Sequence, residues 1–190
     1  MNLILKNLII GLFPALLFYL LYNNVSFTVA VIVGFIISVS ANIFQYKKTN
    51  KVSLFYLLGF VGVVVQTIAG LLVNNEQSYF LVPAILNFIY GSLFFGSLFM
   101  KENLVMRISR EFLKRTIDLT PYIPVYKLLT IIWGAFFYFK GLIKVLGVYN
   151  LSVNELIWLN WILGSPLYIA LFALSAWLPN WYYINVLKKR

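Results

Sequence analysis

Six long apolar runs divide the chain, and none alternates apolar with polar residues in the period-two manner of a membrane β-strand. They cover Leu3–Tyr22, Ser26–Phe44, Ser53–Val73, Tyr79–Met100, Tyr126–Val148 and Leu156–Trp177. A helix rises about 1.5 Å per residue, so about 20 residues cross roughly 30 Å of hydrocarbon. Each run meets or approaches that length. Inside lipid every backbone polar group must be satisfied within the protein, which leaves helices or a closed barrel, and the missing alternation excludes the barrel. The pattern predicts an all-α membrane protein with six transmembrane helices in one polytopic domain over residues 1–190. The first run follows a single Lys6 and ends in Tyr22-Asn23-Asn24 without a small-residue cleavage site, so it reads as an uncleaved span.

The polar positions between the runs set the orientation. Lys47, Lys48 and Lys51 follow the second run; Lys101, Arg107, Arg110, Lys114, Arg115 and Lys127 lie between the fourth and fifth; Lys188, Lys189 and Arg190 end the chain. With Lys6 these account for all of the 15 basic residues except Lys140 and Lys144, and all fall on one side of the predicted membrane. Cytoplasmic loops keep positive charge, so both termini are predicted to be cytoplasmic. Tyr and Trp gather near the span ends, among them Tyr19, Tyr22, Tyr79, Tyr126, Trp158 and Trp177, as an interfacial aromatic belt would.

Between the fourth and fifth runs the periodicity changes character. Leu104, Val105, Ile108 and Phe112 recur at helical spacing with Arg107, Arg110, Glu111, Lys114, Arg115 and Asp118 between them. This predicts an amphipathic cytoplasmic helix lying in the interface, its cations toward anionic headgroups or a docking partner.

Composition confirms the solvent: 62% of residues are hydrophobic and 11% charged, against about 25% charged in soluble domains. The net charge of +10 is spread over loops instead of lining a groove, so nucleic acid is not an expected partner. The chain has no Cys and no His, which removes disulfides, thiolate chemistry and the commonest general base and metal ligand. With no phosphate loop, nucleophile elbow or acidic metal cluster either, no catalytic, metal or cofactor residues are expected.

Few polar groups fall within the spans. Asn42, Gln66, Thr67 and Asn87 are candidates for interhelical hydrogen bonds. Lys140 and Lys144, one turn apart in the fifth span, are candidates either to snorkel toward headgroups, with Glu155 nearby, or to contact an anionic lipid or partner. Arg107, Arg110, Lys114 and Arg115 are the corresponding candidates on the cytoplasmic segment. No Asp or Glu occurs inside a span, which disfavours a proton-driven carrier. Pro14, Pro83 and Pro166 are expected to bend or locally loosen their spans. Pro14-Ala15-Leu16-Leu17-Phe18-Tyr19 and Pro83-Ala84-Ile85-Leu86-Asn87-Phe88 resemble each other weakly, as halves of an inverted repeat would.

Several of these stretches together carry a family likeness. The loop Tyr46–Lys51, the run Ile89-Tyr90-Gly91-Ser92-Leu93-Phe94-Phe95-Gly96 leading to Met100–Arg107, and Lys127-Leu128 before Trp133-Gly134-Ala135-Phe136-Phe137 resemble the intracellular septation protein A family of small bacterial inner-membrane proteins, divergent relatives of unknown function included. Lys101-Glu102-Asn103-Leu104 stands where that family often has Lys-Pro-Leu, and the Lys140/Lys144 pair departs from its pattern. The resemblance implies a non-enzymatic plasma-membrane protein acting in septation or envelope maintenance, through lipids or membrane proteins of division and elongation. The alternative is a small transporter, channel or lipid-translocating protein.

Overall fold

The computed structural model describes residues 17–49, 54–72, 79–112 and 118–188. Among these every regular element is a helix. Residues 17–24 form the described part of α1. There follow α2 (Phe27–Thr49), α3 (Leu54–Leu72), α4 (Leu81–Ser97), the short α5 (Leu104–Phe112), α6 (Ile123–Asn150), α7 (Val153–Ile162) and α8 (Ser165–Tyr182). A single 3-10 turn, Thr120–Tyr122, leads into α6, and a π-turn, Tyr183–Leu187, follows α8.

Lipid facing is legible in which side chains are left uncovered. Ile32 and Ile36 on α2, Ile85, Ile89 and Leu93 on α4, and Ile131, Phe139, Leu142 and Leu146 on α6 are all exposed. A soluble protein would cover so continuous an apolar surface, whereas a bilayer solvates it. Among the described residues Asn87, Ser97, Asn103, Thr130, Lys140 and Lys144 are buried beside the apolar side chains of the interior. The uncovered apolar helix faces are those of a membrane protein.

The principal packing is α4 against α6, which run antiparallel and approach through glycine. A Cβ on Gly134 would lie 3.0–3.1 Å from the Phe95 ring, and one on Gly141 3.1 Å from Phe88 and 3.2 Å from the Ala84 carbonyl. The Tyr138 ring fills the space beside Gly91 in the same way. Each glycine admits an aromatic ring from the facing helix, the small-residue mode of packing that membrane helices use without a hydrophobic drive.

Two aromatic cores close the ends. In one, Trp133 of α6 stacks with Phe94 of α4 and Tyr168 of α8, and Phe137 meets the same two rings at a tilt. In the other, Tyr79 packs between Phe18, Phe27 and Phe80, while Tyr19 meets Trp158. Tyr79 and Tyr126, expected in the interfacial belt, are buried in these cores.

Three expectations are corrected. The sixth run is two helices, broken at Leu163 and Gly164. Pro166 lies in the first turn of α8 and Pro83 in that of α4, where the missing N–H is an orphan in any case, so both start helices and bend none. Pro179 lies inside α8, and the π-turn begins four residues later. The apolar face of α5 is also not spent on lipid: Val105 and Met106 are buried against α6, with Leu104 and Ile108 packed beside them. Pro14 and the first half of the suggested repeat lie outside the described residues.

Candidate functional site

The fifth run brings its two lysines inward. Buried positions on α6 fall at Leu129, Trp133, Phe137, Lys140, Lys144 and Val148, a stripe of three- and four-residue steps. Lys140 is 4% exposed and Lys144 6%, so neither extends to the surface as a snorkelling lysine would. Lys140 Nζ donates to the Tyr168 hydroxyl at 3.0 Å and sits 4.2 Å from that ring's centroid and 5.8 Å from that of Phe136. Aromatic faces attract a cation most where water is excluded. Glu155, the acid expected nearby, is engaged in a capping box: its Oε2 accepts from the Ser152 N–H at 2.8 Å and the Ser152 hydroxyl at 2.7 Å.

The break after α7 is what delivers Tyr168. Pro166 has no N–H, and Gly164 sits at the junction with its backbone against the Asn160 and Trp161 carbonyls, where a Cβ would meet oxygen at 2.9 Å. α8 restarts there, and its first turn lays Tyr168 over Lys140.

Asn87, facing α6 from α4, is 4% exposed, and its Nδ2 has no hydrogen-bond partner among the described residues. Of the other interhelical candidates, Gln66 hydrogen-bonds Tyr79, tying α3 to the start of α4. Thr67 is half-buried on α3, and Asn42 lies in α2 with its side chain outside the described set.

At the opposite end of α6, polar side chains turn the chain from α4 into α5. Ser97 Oγ donates to the Phe94 carbonyl at 2.7 Å and accepts from the Leu104 N–H at 2.9 Å. Asn103 Oδ1 caps α5 by accepting from the Met106 N–H at 3.0 Å and from Thr130 Oγ1 of α6 at 2.9 Å. α5 is thus fixed to the bundle through its cap as well as its apolar face. Arg107 stays exposed, and Arg110 pairs with Glu102 at 2.6 Å. Lys114 and Arg115 lie outside the described residues.

Asn103, Thr130 and Tyr168 were not among the sequence candidates. Asn103 carried a signal, an N-cap residue just before an apolar-periodic run. Tyr168 carried none, because its position depends on the break. A shallow cavity between α1 and α2 is lined by apolar residues, among them Leu17, Phe18, Val33 and Ile37, and offers no polar group for recognition. No cluster of residues able to hold a metal ion occurs among the described residues.

Comparison with known proteins places these features in a family. The model of intracellular septation protein A matches residues 6–185. Among curated proteins, the inner membrane-spanning protein YciB of Ralstonia nicotianae is 25% identical over 173 residues, covering 89% of each chain. Its namesake from Hydrogenovibrio crunogenus is 24% identical over 155 residues, 80% of this chain and 68% of the relative. No solved structure matches the chain significantly. With nearly the whole length matched, the chain belongs to the intracellular septation protein A family.

Proposed function

We propose that this chain is a six-span bacterial inner-membrane protein, both termini cytoplasmic, that serves septation or envelope maintenance without catalysis, by holding lipids or other membrane proteins. The observation that carries this reading is the family match over residues 6–185. The relatives' name supplies the membrane, and the distribution of Lys and Arg supplies the orientation.

The geometry of α5 supports a contact role. A basic helix held only by lipid would move with the surface, whereas α5 is capped by Asn103 and buried through Val105 and Met106. Arg107 and Arg110 therefore stand at set positions relative to the bundle, as recognition of a partner or a headgroup array requires. The absence of His and Cys from the chain, and of any acid from its spans, agrees with a non-enzymatic role.

A photo-crosslinker introduced at Arg107 in living cells tests the reading. Capture of a membrane protein or phospholipid, lost in an Arg107→Gln/Arg110→Gln variant, is the expected result. Capture of neither, together with normal septation and envelope integrity in a deletion strain, would overturn it.

A further inference from the structure

A lysine ammonium donates up to three hydrogen bonds and accepts none. Lys140 and Lys144 lie one turn apart on the same stripe of α6, both more than nine-tenths buried, and like charges at that spacing repel, the more so away from water. The one hydrogen bond of Lys140 among the described residues goes to Tyr168, and Lys144 has no acceptor among them. Tyr168, having accepted from Lys140, still has its own O–H to donate.

A third donor lies at the same level. Along the α4–α6 contact Phe94 meets Trp133 and Tyr90 meets Phe137, so the next turn of the antiparallel pair sets Asn87 level with Lys140. Its buried Nδ2 has no partner among the described residues. The described acids are occupied or remote. Glu102 pairs with Arg110, Asp118 accepts from Thr120 and Glu155 from Ser152. Glu111 lies on α5, which joins α6 near Thr130, about 15 Å down the helix from Lys140. Glu76 lies outside the described residues.

Four groups able to donate, two of them lysines, thus gather inside the bundle without an acidic acceptor among the described residues. We propose that Lys140 and Lys144, with Asn87 and Tyr168, form a binding site for a phosphate-class oxyanion. A tetrahedral phosphate presents several acceptor oxygens together with the negative charge, which suits separate ammonium and amide donors better than a two-oxygen carboxylate. Either a phospholipid headgroup or free phosphate has this chemistry. This site is separate from the cytoplasmic edge of α5, so either proposal can fail alone.

The test uses the full chain purified in nonionic detergent, with inorganic phosphate alone and short-chain phosphatidylglycerol as separate probes, short-chain phosphatidylcholine as the zwitterionic control, and thermal unfolding and native mass spectrometry as readouts. The wild type is expected to gain thermal stability with one or both anionic probes beyond the control. A response to phosphate alone identifies a free anion, and a response to phosphatidylglycerol alone identifies a headgroup. Lys140→Met/Lys144→Met should weaken the response by about tenfold or more while leaving the unliganded protein no less stable, since uncompensated buried charge has been removed. Arg107→Gln/Arg110→Gln should leave the response intact. If the methionine variant fails to fold, Lys140→Arg/Lys144→Arg, which keeps the charge, is expected to retain binding. No wild-type response to either anionic probe, or an undiminished response in the methionine variant, would overturn the proposal. So would clear destabilisation of the unliganded protein by the methionine variant, matched by an equal loss in Glu76→Gln, which would make the pair partners of an internal acid.

Discussion

Replacing Gly134 with leucine is expected to destabilise the bundle through one aromatic ring. The three nearest atoms to a Cβ at Gly134 are all carbons of Phe95, at 3.0–3.1 Å, where an ordinary carbon contact is about 3.5–4.0 Å. Helix propensity alone would favour losing the glycine by about 1 kcal/mol. Overpacking opposes this at about 1–3 kcal/mol, and a leucine's further carbons push toward the upper end, so Gly134→Leu should cost about 2 kcal/mol net. Phe95→Ala alone should cost about 1–2 kcal/mol, less than the roughly 3–5 kcal/mol of a soluble core, because the ring is half-buried and lipid can replace some of its contacts. In the double variant the leucine enters the space the ring leaves. Its destabilisation should fall short of additivity by about 1.5 kcal/mol or more, the signature of two residues that share one volume. The assay is reversible unfolding in mixed micelles, read by tryptophan fluorescence. A neutral Gly134→Leu, or costs that simply add in the double variant, would refute the interlock of glycine and ring between α4 and α6.

Asn103→Ala should release α5, raising hydrogen exchange over residues 104–112 and costing about 1–2 kcal/mol, as loss of a helix cap does. Thr130→Val should cost about 0.6 kcal/mol and leave α5 capped, because Asn103 keeps its bond to Met106; equal effects of the two variants would contradict this division of roles. The Asp118 carboxyl is held below its ordinary value by hydrogen bonds from the Thr120 side chain and backbone N–H. A carboxyl lowered on folding contributes stability above its unfolded value, near about pH 4, and loses it as pH falls through the lowered one. The protection factors of the Thr120 and Tyr122 amides, taken against intrinsic exchange at each pH, should fall across that acid window in the wild type and lose this pH dependence in Asp118→Asn. Because the chain has no native cysteine, single substitutions report topology without background. Asn24→Cys and Asn150→Cys should react with an impermeant maleimide added outside the cytoplasmic membrane, whereas Lys48→Cys, Arg110→Cys and Lys188→Cys should not; the reverse labelling would invert the proposed orientation.

Much of the architecture was legible because the bilayer makes local demands. A run of apolar residues must be helical wherever lipid surrounds it, so Tyr126–Val148 announced a helix, found as Ile123–Asn150, despite two charges within it. The amphipathic segment was legible for the same reason: the period of Leu104, Val105 and Ile108 marks a helix whatever covers its face. Family membership was also carried by the sequence, since Ile89–Gly96 and Trp133–Phe137 follow a recognisable pattern.

Which polar groups meet was decided only by tertiary structure. Position in a span does not say which way a lysine points, and Lys140 turns inward because its stripe on α6 is the one that faces α4 and α8. A proline reads identically whether it bends a helix or begins one, and only the chain break at Leu163 and Gly164 makes Pro166 a beginning and brings Tyr168 to Lys140. The covering of α5 was likewise beyond its own sequence, because an apolar stripe is satisfied equally by lipid or by α6. Hydropathy is a property of single segments and survives in any packing, while hydrogen bonds between segments more than twenty residues apart exist only once the bundle has closed.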